Sequence, residues 1–152
     1  MGAALVETME HDTIMGRINA AVALDYSGNR EEARARLEEL WEDVEMDGQA
    51  LPQCTLAHYM ADMQDDPHQE LLWDLRALEA AGSLAGDEAR DYYPSLHLNL
   101  AEDYRKLGDW DTAREHLARA RELVGALPDN GYGNMIRRGI EDLAGLPEFT
   151  GC

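Results

Sequence analysis

Cys54, His58 and Asp62 follow one another at four-residue steps, a spacing that on a helix brings a thiol, an imidazole and a carboxylate to one face. Such a set could ligate a metal, with His97 as a fourth donor, and Cys54 with His58 could also be written as a nucleophile and its base. Neither reading has support elsewhere in the chain. No second ligand pair stands at a fixed spacing, no nucleophile-elbow motif surrounds Cys54, and a Cys and a His on a half-buried helix usually pack. Gly125, Gly131 and Gly133 lie in a turn-like stretch without the Gly-Lys-Ser/Thr core that grips phosphate. We therefore expect no metal, no cofactor and no catalytic residue. From Leu37 to Leu75 run eleven acidic residues with no Lys or Arg. They are too diffuse for a catalytic pair and read as a solvated face or as a docking surface for a basic partner.

The elements that must position these groups are short helices. The chain has 152 residues, the length of one domain with an ordinary core. Its 31 acidic against 13 basic residues give a net charge of -18, which repels phosphate backbones and anionic membranes, so neither nucleic acid nor membrane is an expected partner. Cys54 and Cys152 form no disulfide framework, and neither a secretory leader nor an apolar run of membrane-spanning length is visible, so a cytoplasmic setting is expected. All the basic residues but Lys106 are Arg, which we read as codon bias of a GC-rich, bacterial genome.

Apolar residues recur at three- and four-residue steps in Ile14, Ile18, Ala21, Val22, in Leu37, Leu40, Trp41, Val44 and in Leu71, Leu75, Leu78, and nowhere alternate with period two. Asn29, Asp66 ahead of Pro67, and Asp109 read as N-caps, each worth about 1 kcal/mol, and Gly28, Gly48, Gly82, Gly108, Gly125 and Gly145 read as helix ends. These signals predict seven helices, roughly 11–27, 30–46, 52–64, 67–81, 88–107, 110–124 and 133–144, with Pro94 kinking or restarting the fifth.

The helices repeat in pairs. His97, Leu100-Ala101, Tyr104, Gly108, then Ala113, Leu117 and Ala120 set a large residue, a Leu-small pair, a Tyr, a Gly turn and an Ala-x3-large run in order. Ala20-Ala21, Leu24, Gly28, Ala33, Leu37 and Leu40 repeat that order at the same spacing, and Leu56-Ala57, Met60, Leu71, Leu75 and Leu78 form a looser copy. The chain resembles the tetratricopeptide repeat (TPR) family. The resemblance implies an all-α, right-handed superhelical stack of antiparallel hairpins, an α-solenoid formed as one domain over 1–152. Its repeats would fall at approximately 14–46, 50–81 and 94–127, with a capping helix at approximately 133–144. Ala21, Ala57, Ala101 and Gly139 would be the small contacts where helices approach. Buried positions should include Leu24, Leu37, Leu56, Leu75, Leu100, Ala101, Tyr104, Ala113 and Leu117.

In such arrays the first helix of each hairpin lines a groove, and the residue before the Leu-small pair points into it. Here those residues are Asn19, Thr55, Asn99 and Arg137. His58 and Glu102 follow the small residues directly, and Arg105 lies one turn further on; Asn, His and Arg can hold a peptide backbone or carboxylate. The resemblance thus implies a non-enzymatic protein-protein interaction module, monomeric or weakly dimeric, that binds a peptide segment of a partner in its groove. The alternatives are a small-molecule or signalling-peptide sensor and, behind it, a metal-dependent enzyme built on Cys54, His58, Asp62 and His97.

Overall fold

The computed structural model describes residues 13–84 and 86–150, so Cys152 and the start of the first expected helix, 11–12, lie outside the described residues. Among the described residues there are eight α-helices and no strand. They are α1 (Ile14–Tyr26), α2 (Arg30–Asp47), α3 (Ala50–Asp62), α4 (Pro67–Ala81), α5 (Asp87–Lys106), α6 (Trp110–Leu123), α7 (Gly131–Ala144) and a single turn, α8 (Pro147–Thr150); a 3-10 turn, Val124–Ala126, joins α6 to α7. Thr13, Asp66, Asp109 and Asn130 cap α1, α4, α6 and α7 by accepting from Gly16, His68, Thr112 and Gly133 N–H. Asn29 heads α2 without a side-chain cap hydrogen bond. Gly28, Gly48 and Gly108 take the left-handed conformation after their helices, whereas Gly82 and Gly145 keep negative φ and end theirs without it.

Successive helices fold back as hairpins α1/α2, α3/α4 and α5/α6, with α7 laid on the last one, giving an α-solenoid. α1 rests on α3 and α5 on α7, so the first helices of the hairpins form an inner layer and α2, α4 and α6 an outer one. Ala21, Ala57 and Ala101 are fully buried where the layers approach, and a Cβ built on Gly139 would sit 2.8 Å from Leu98 Cδ2, so all four small contacts hold. Leu37, Leu56, Leu100, Ala113 and Leu117 fill the interior, each large one removing enough apolar surface to contribute about 1.5–3 kcal/mol. Leu24 and Tyr104 are only half-buried, since they lie at the margin between layers.

Leu75 is 38% exposed, contrary to expectation, and the reason is a rotation of α4. Counted from its cap Asp66, α4 turns Glu70, Asp74, Ala77 and Ala81 to the places that Ala33, Leu37, Leu40 and Val44 hold after Asn29. The apolar trio Leu71, Leu75, Leu78 stands one residue later, about 100° round the helix. Trp73 takes the neighbouring buried position and meets Trp41 edge-to-face at 5.1 Å, with the Arg76 guanidinium 4.4 Å from its ring centre.

Asp74 of α4 and Asp103 of α5 are consequently buried against each other, between an apolar cluster drawn mainly from α1–α4 and a second one from α5–α8. Asp74 Oδ1 and Asp103 Oδ2 meet no amide, hydroxyl or cationic donor. Burial raises the pKa of both carboxyls. Burial is the leading cause for each, and the proximity of the two acids adds to it, so the pair retains a proton between them that belongs to the pair rather than to either residue. Glu70 reaches Asp103 from the surface side, and Lys106 Nζ pairs with Glu70 Oε1 at 2.9 Å.

Pro94 lies within α5, which continues through it. Its missing N–H leaves the Arg90 carbonyl without the usual helical donor, and one residue further on the Tyr132 hydroxyl of α7 donates to the Asp91 carbonyl (3.0 Å) beside Ser95 Oγ (3.2 Å).

Two predictions follow from this packing. Both carboxyl pKa values are raised on folding, so their contribution to stability is complete below the ordinary carboxylate range and is lost as pH rises towards and past neutrality. Thermal or urea unfolding should show greater stability at pH 5 than at pH 8, falling by about 1.4 kcal/mol per pH unit for each proton that only the folded state retains. Other charges near the pair, Asp62, Glu70 and Lys106, persist in Asp74→Asn, whose amide donates without a titrating proton, so this variant should flatten the slope. In the second, a Cβ at Gly133 would meet the Pro128 carbonyl at 2.2 Å, whereas one at Gly139 meets only the movable end of Leu98. Gly133→Ala should cost roughly 1–3 kcal/mol in denaturant titration, and Gly139→Ala should be near neutral.

Candidate functional site

The inner layer carries most of the polar residues singled out above, held in different ways. Asn19 is exposed on α1. Thr55 of α3 is buried, its hydroxyl 3.1 Å from the Tyr92 hydroxyl of α5. His58 Nδ1 lies 3.3 Å from Asn99 Nδ2. With the amide donating, the imidazole proton sits on Nε2, 3.9 Å from Asp62 Oδ2. Glu102 and Arg105 are paired along one turn of α5, Arg105 Nε donating to Glu102 Oε2 at 3.0 Å, and that bond leads the causes that raise the arginine's pKa. The structure therefore brings Thr55, His58 and Asn99 together across the α3–α5 contact and sets Glu102 and Arg105 beside them.

Arg137 is placed differently. Its guanidinium donates to the carbonyls of Leu127 (2.6 Å), Val124 (3.2 Å) and Pro128 (3.4 Å), binding α7 to the turn that follows α6. A long cationic side chain beside three outward carbonyls is satisfied locally, which spacing within the repeat does not reveal.

Two clefts open between inner helices. One of about 390 Å³ lies between α5 and α7, with Asn99, Glu102, Arg105 and Asp142 on its walls. The other, of about 270 Å³, lies where α3, α5 and α7 meet, and its walls carry Tyr59, Tyr92, Tyr132, His58 and Asp91. The tyrosines and Asp91 were not among the expected site residues. Tyr26, Tyr59 and Tyr92 follow one another at equal steps of nearly one repeat, the signal that marks them.

The thiol-imidazole-carboxylate row separates. Cys54 is fully buried and its thiol is pushed up to about 12 by burial, so at neutral pH it stays protonated and is no activated nucleophile. His97 turns to α6, its Nδ1 3.0 Å from His116 Nδ1, in a stack continued by Tyr93 and Tyr104. Burial foremost, then the His116 charge, lowers its pKa to about 4. Among the described residues no group of three or more His, Cys, Asp or Glu is placed to hold a metal ion.

The acidic stretch is likewise divided. Asp74 is internal, while Asp43 pairs with Arg17 (3.7 Å) within the first hairpin, and Asp65 with Arg34 (3.8 Å) and Glu70 with Lys106 tie one hairpin to the next.

The family model described as tetratricopeptide repeat matches residues 14–39 and 94–119. Over these two segments the chain is similar to tetratricopeptide repeats. The segments begin with α1 and with the part of α5 that starts at Pro94, and each runs through its turn and ends inside the second helix, so the matches fall within the hairpins α1/α2 and α5/α6. No curated protein and no solved structure matches the chain. Among the described residues no helix is long and apolar enough to cross a membrane.

Arg137→Ala should lower unfolding stability by roughly 1.5–3 kcal/mol, because it strips the charged donor from three carbonyls. Hydrogen exchange in 124–131 should quicken in the same variant.

Proposed function

We propose that the chain is a non-enzymatic protein-interaction module that receives a peptide segment of a partner along the face formed by α1, α3, α5 and α7. The observation that carries this reading is the pair of segments similar to tetratricopeptide repeats, since repeats of this family commonly serve protein–protein interaction. Polar contacts to the segment fall to Asn19, His58, Asn99, Glu102 and Arg105. Thr55 acts by holding Tyr92, and Arg137 by holding α7 in place. The net charge of -18 favours a basic partner over nucleic acid or an anionic membrane. We further propose a single domain over 1–152, monomeric or weakly dimeric and cytoplasmic.

The test is a photo-crosslinking residue placed at Asn99 or, on the outer helix α6, at exposed Glu115, in cells of the source. One partner should be captured from Asn99 and not from Glu115, and Asn99→Ala should weaken that partner's binding by roughly 1–3 kcal/mol in titration calorimetry. Capture from Glu115 alone would move the binding surface to the outer layer and end the groove reading.

A further inference from the structure

The inner helices carry Tyr26 on α1, Tyr59 on α3, Tyr92 on α5 and Tyr132 on α7. The last three wall the 270 Å³ cleft where α3, α5 and α7 meet. Two of their hydroxyls are already engaged, Tyr92 with Thr55 Oγ1 at 3.1 Å and Tyr132 with the Asp91 carbonyl at 3.0 Å. Those bonds orient the phenols and leave the cleft their rings instead of their hydroxyl groups.

The charge around these rings has one sign. Asp91 stands on the cleft wall, exposed, and among the described residues no Lys or Arg pairs with it. Its neighbour Arg90 is bound to Asp87 at 2.6 Å. The other cations of α5, Arg105 and Lys106, stand about four turns further along the helix and are paired with Glu102 and Glu70. No lining residue of the cleft is Lys or Arg. Aromatic faces beside an unpaired carboxylate attract a cation, and a planar guanidinium gains more from stacking on phenol rings than a strongly hydrated ammonium does.

We propose that the cleft between α3, α5 and α7 seats an arginine side chain of the bound segment, stacked on Tyr59, Tyr92 and Tyr132 and neutralised by Asp91. The proposal rests on the peptide-binding reading of the inner face and adds the chemistry of the residue bound there. It makes arginine the anchor of the segment, since aromatic pockets that exclude water carry most of the energy of such interfaces.

The probes are an acetylated, amidated heptapeptide, Gly-Ser-Gly-Arg-Gly-Ser-Gly, and its citrulline counterpart, which keeps the shape of arginine without its charge. Each is titrated to about 1 mM into isotopically labelled full-length chain and followed by amide and tyrosine-ring chemical shifts. The arginine peptide should shift Tyr59, Tyr92 and Tyr132, bind about tenfold tighter than the citrulline peptide, and weaken as salt is raised. Asp91→Asn, at an exposed site and checked by an unchanged melting temperature, should lower arginine binding about fivefold and leave citrulline binding unaltered. Tyr59→Leu should weaken the arginine peptide as well, because it keeps the apolar bulk and removes the ring.

Equal binding of both peptides, shifts confined to other surfaces, or no shifts with either would overturn the arginine seat. These results are separable from failure of the groove itself. A partner captured through Asn99, combined with equal arginine and citrulline binding, would leave the groove standing and remove only the seat. Capture through Glu115 alone would remove both.

Discussion

The third hairpin joins the first two across a seam at whose centre Asp74 and Asp103 face each other out of water. One ionised carboxylate buried without a partner is costly, and two facing each other cannot both be ionised, so the seam closes only around a retained proton. The rest of the stack is built on either side of that condition. The apolar residues of α1–α4 gather in one cluster and those of α5–α8 in another, and the acid pair with Glu70 and Lys106 forms the polar node between them. A Leu pair at these positions would merge the clusters. The acids instead make the junction between hairpins sensitive to pH, while the interior of each hairpin remains apolar.

On the inner side the same seam is crossed by neutral contacts. His58 meets Asn99, and Thr55 meets Tyr92, so α3 is tied to α5 by side chains beside the place where α4 meets α5 through carboxyls. Tyr132 extends this network to α7 by donating to the Asp91 carbonyl beside Ser95, which docks the cap on α5. The walls of the cleft are therefore assembled from hairpins whose mutual placement depends on the seam.

The abundance of acid residues has more than one consequence. Some, such as Asp43 and Asp65, link neighbouring helices through exposed ion pairs that each contribute little. Glu70 and Asp74 are drawn inward by the register of α4, and Asp91 is left facing solvent on the cleft wall. A single net charge thus divides into surface, seam and cleft.

Helix bounds, caps at Asp66 and Asp109, and the small contacts at Ala21, Ala57, Ala101 and Gly139 were legible in the chain because each depends on neighbours within a turn or on a spacing that recurs with the repeat. The second repeat was misread in its outer helix. A search for apolar residues selects Leu71, Leu75 and Leu78, whereas the face turned inward carries Glu70 and Asp74, which are admissible there only because Asp103 arrives from another hairpin. The same limit applies to Arg137, whose position in the repeat suggested a partner but whose guanidinium is consumed by carbonyls of the preceding turn. It applies also to the tyrosines, whose equal steps are visible in sequence but whose common cleft exists only once α3, α5 and α7 meet. Local periodicity and capping determined which segments are helices and how they pair. Burial and hydrogen bonding between residues far apart in the chain decided which acids lose water and which charges stay free, because desolvation is a property of the packed neighbours and not of the residue itself.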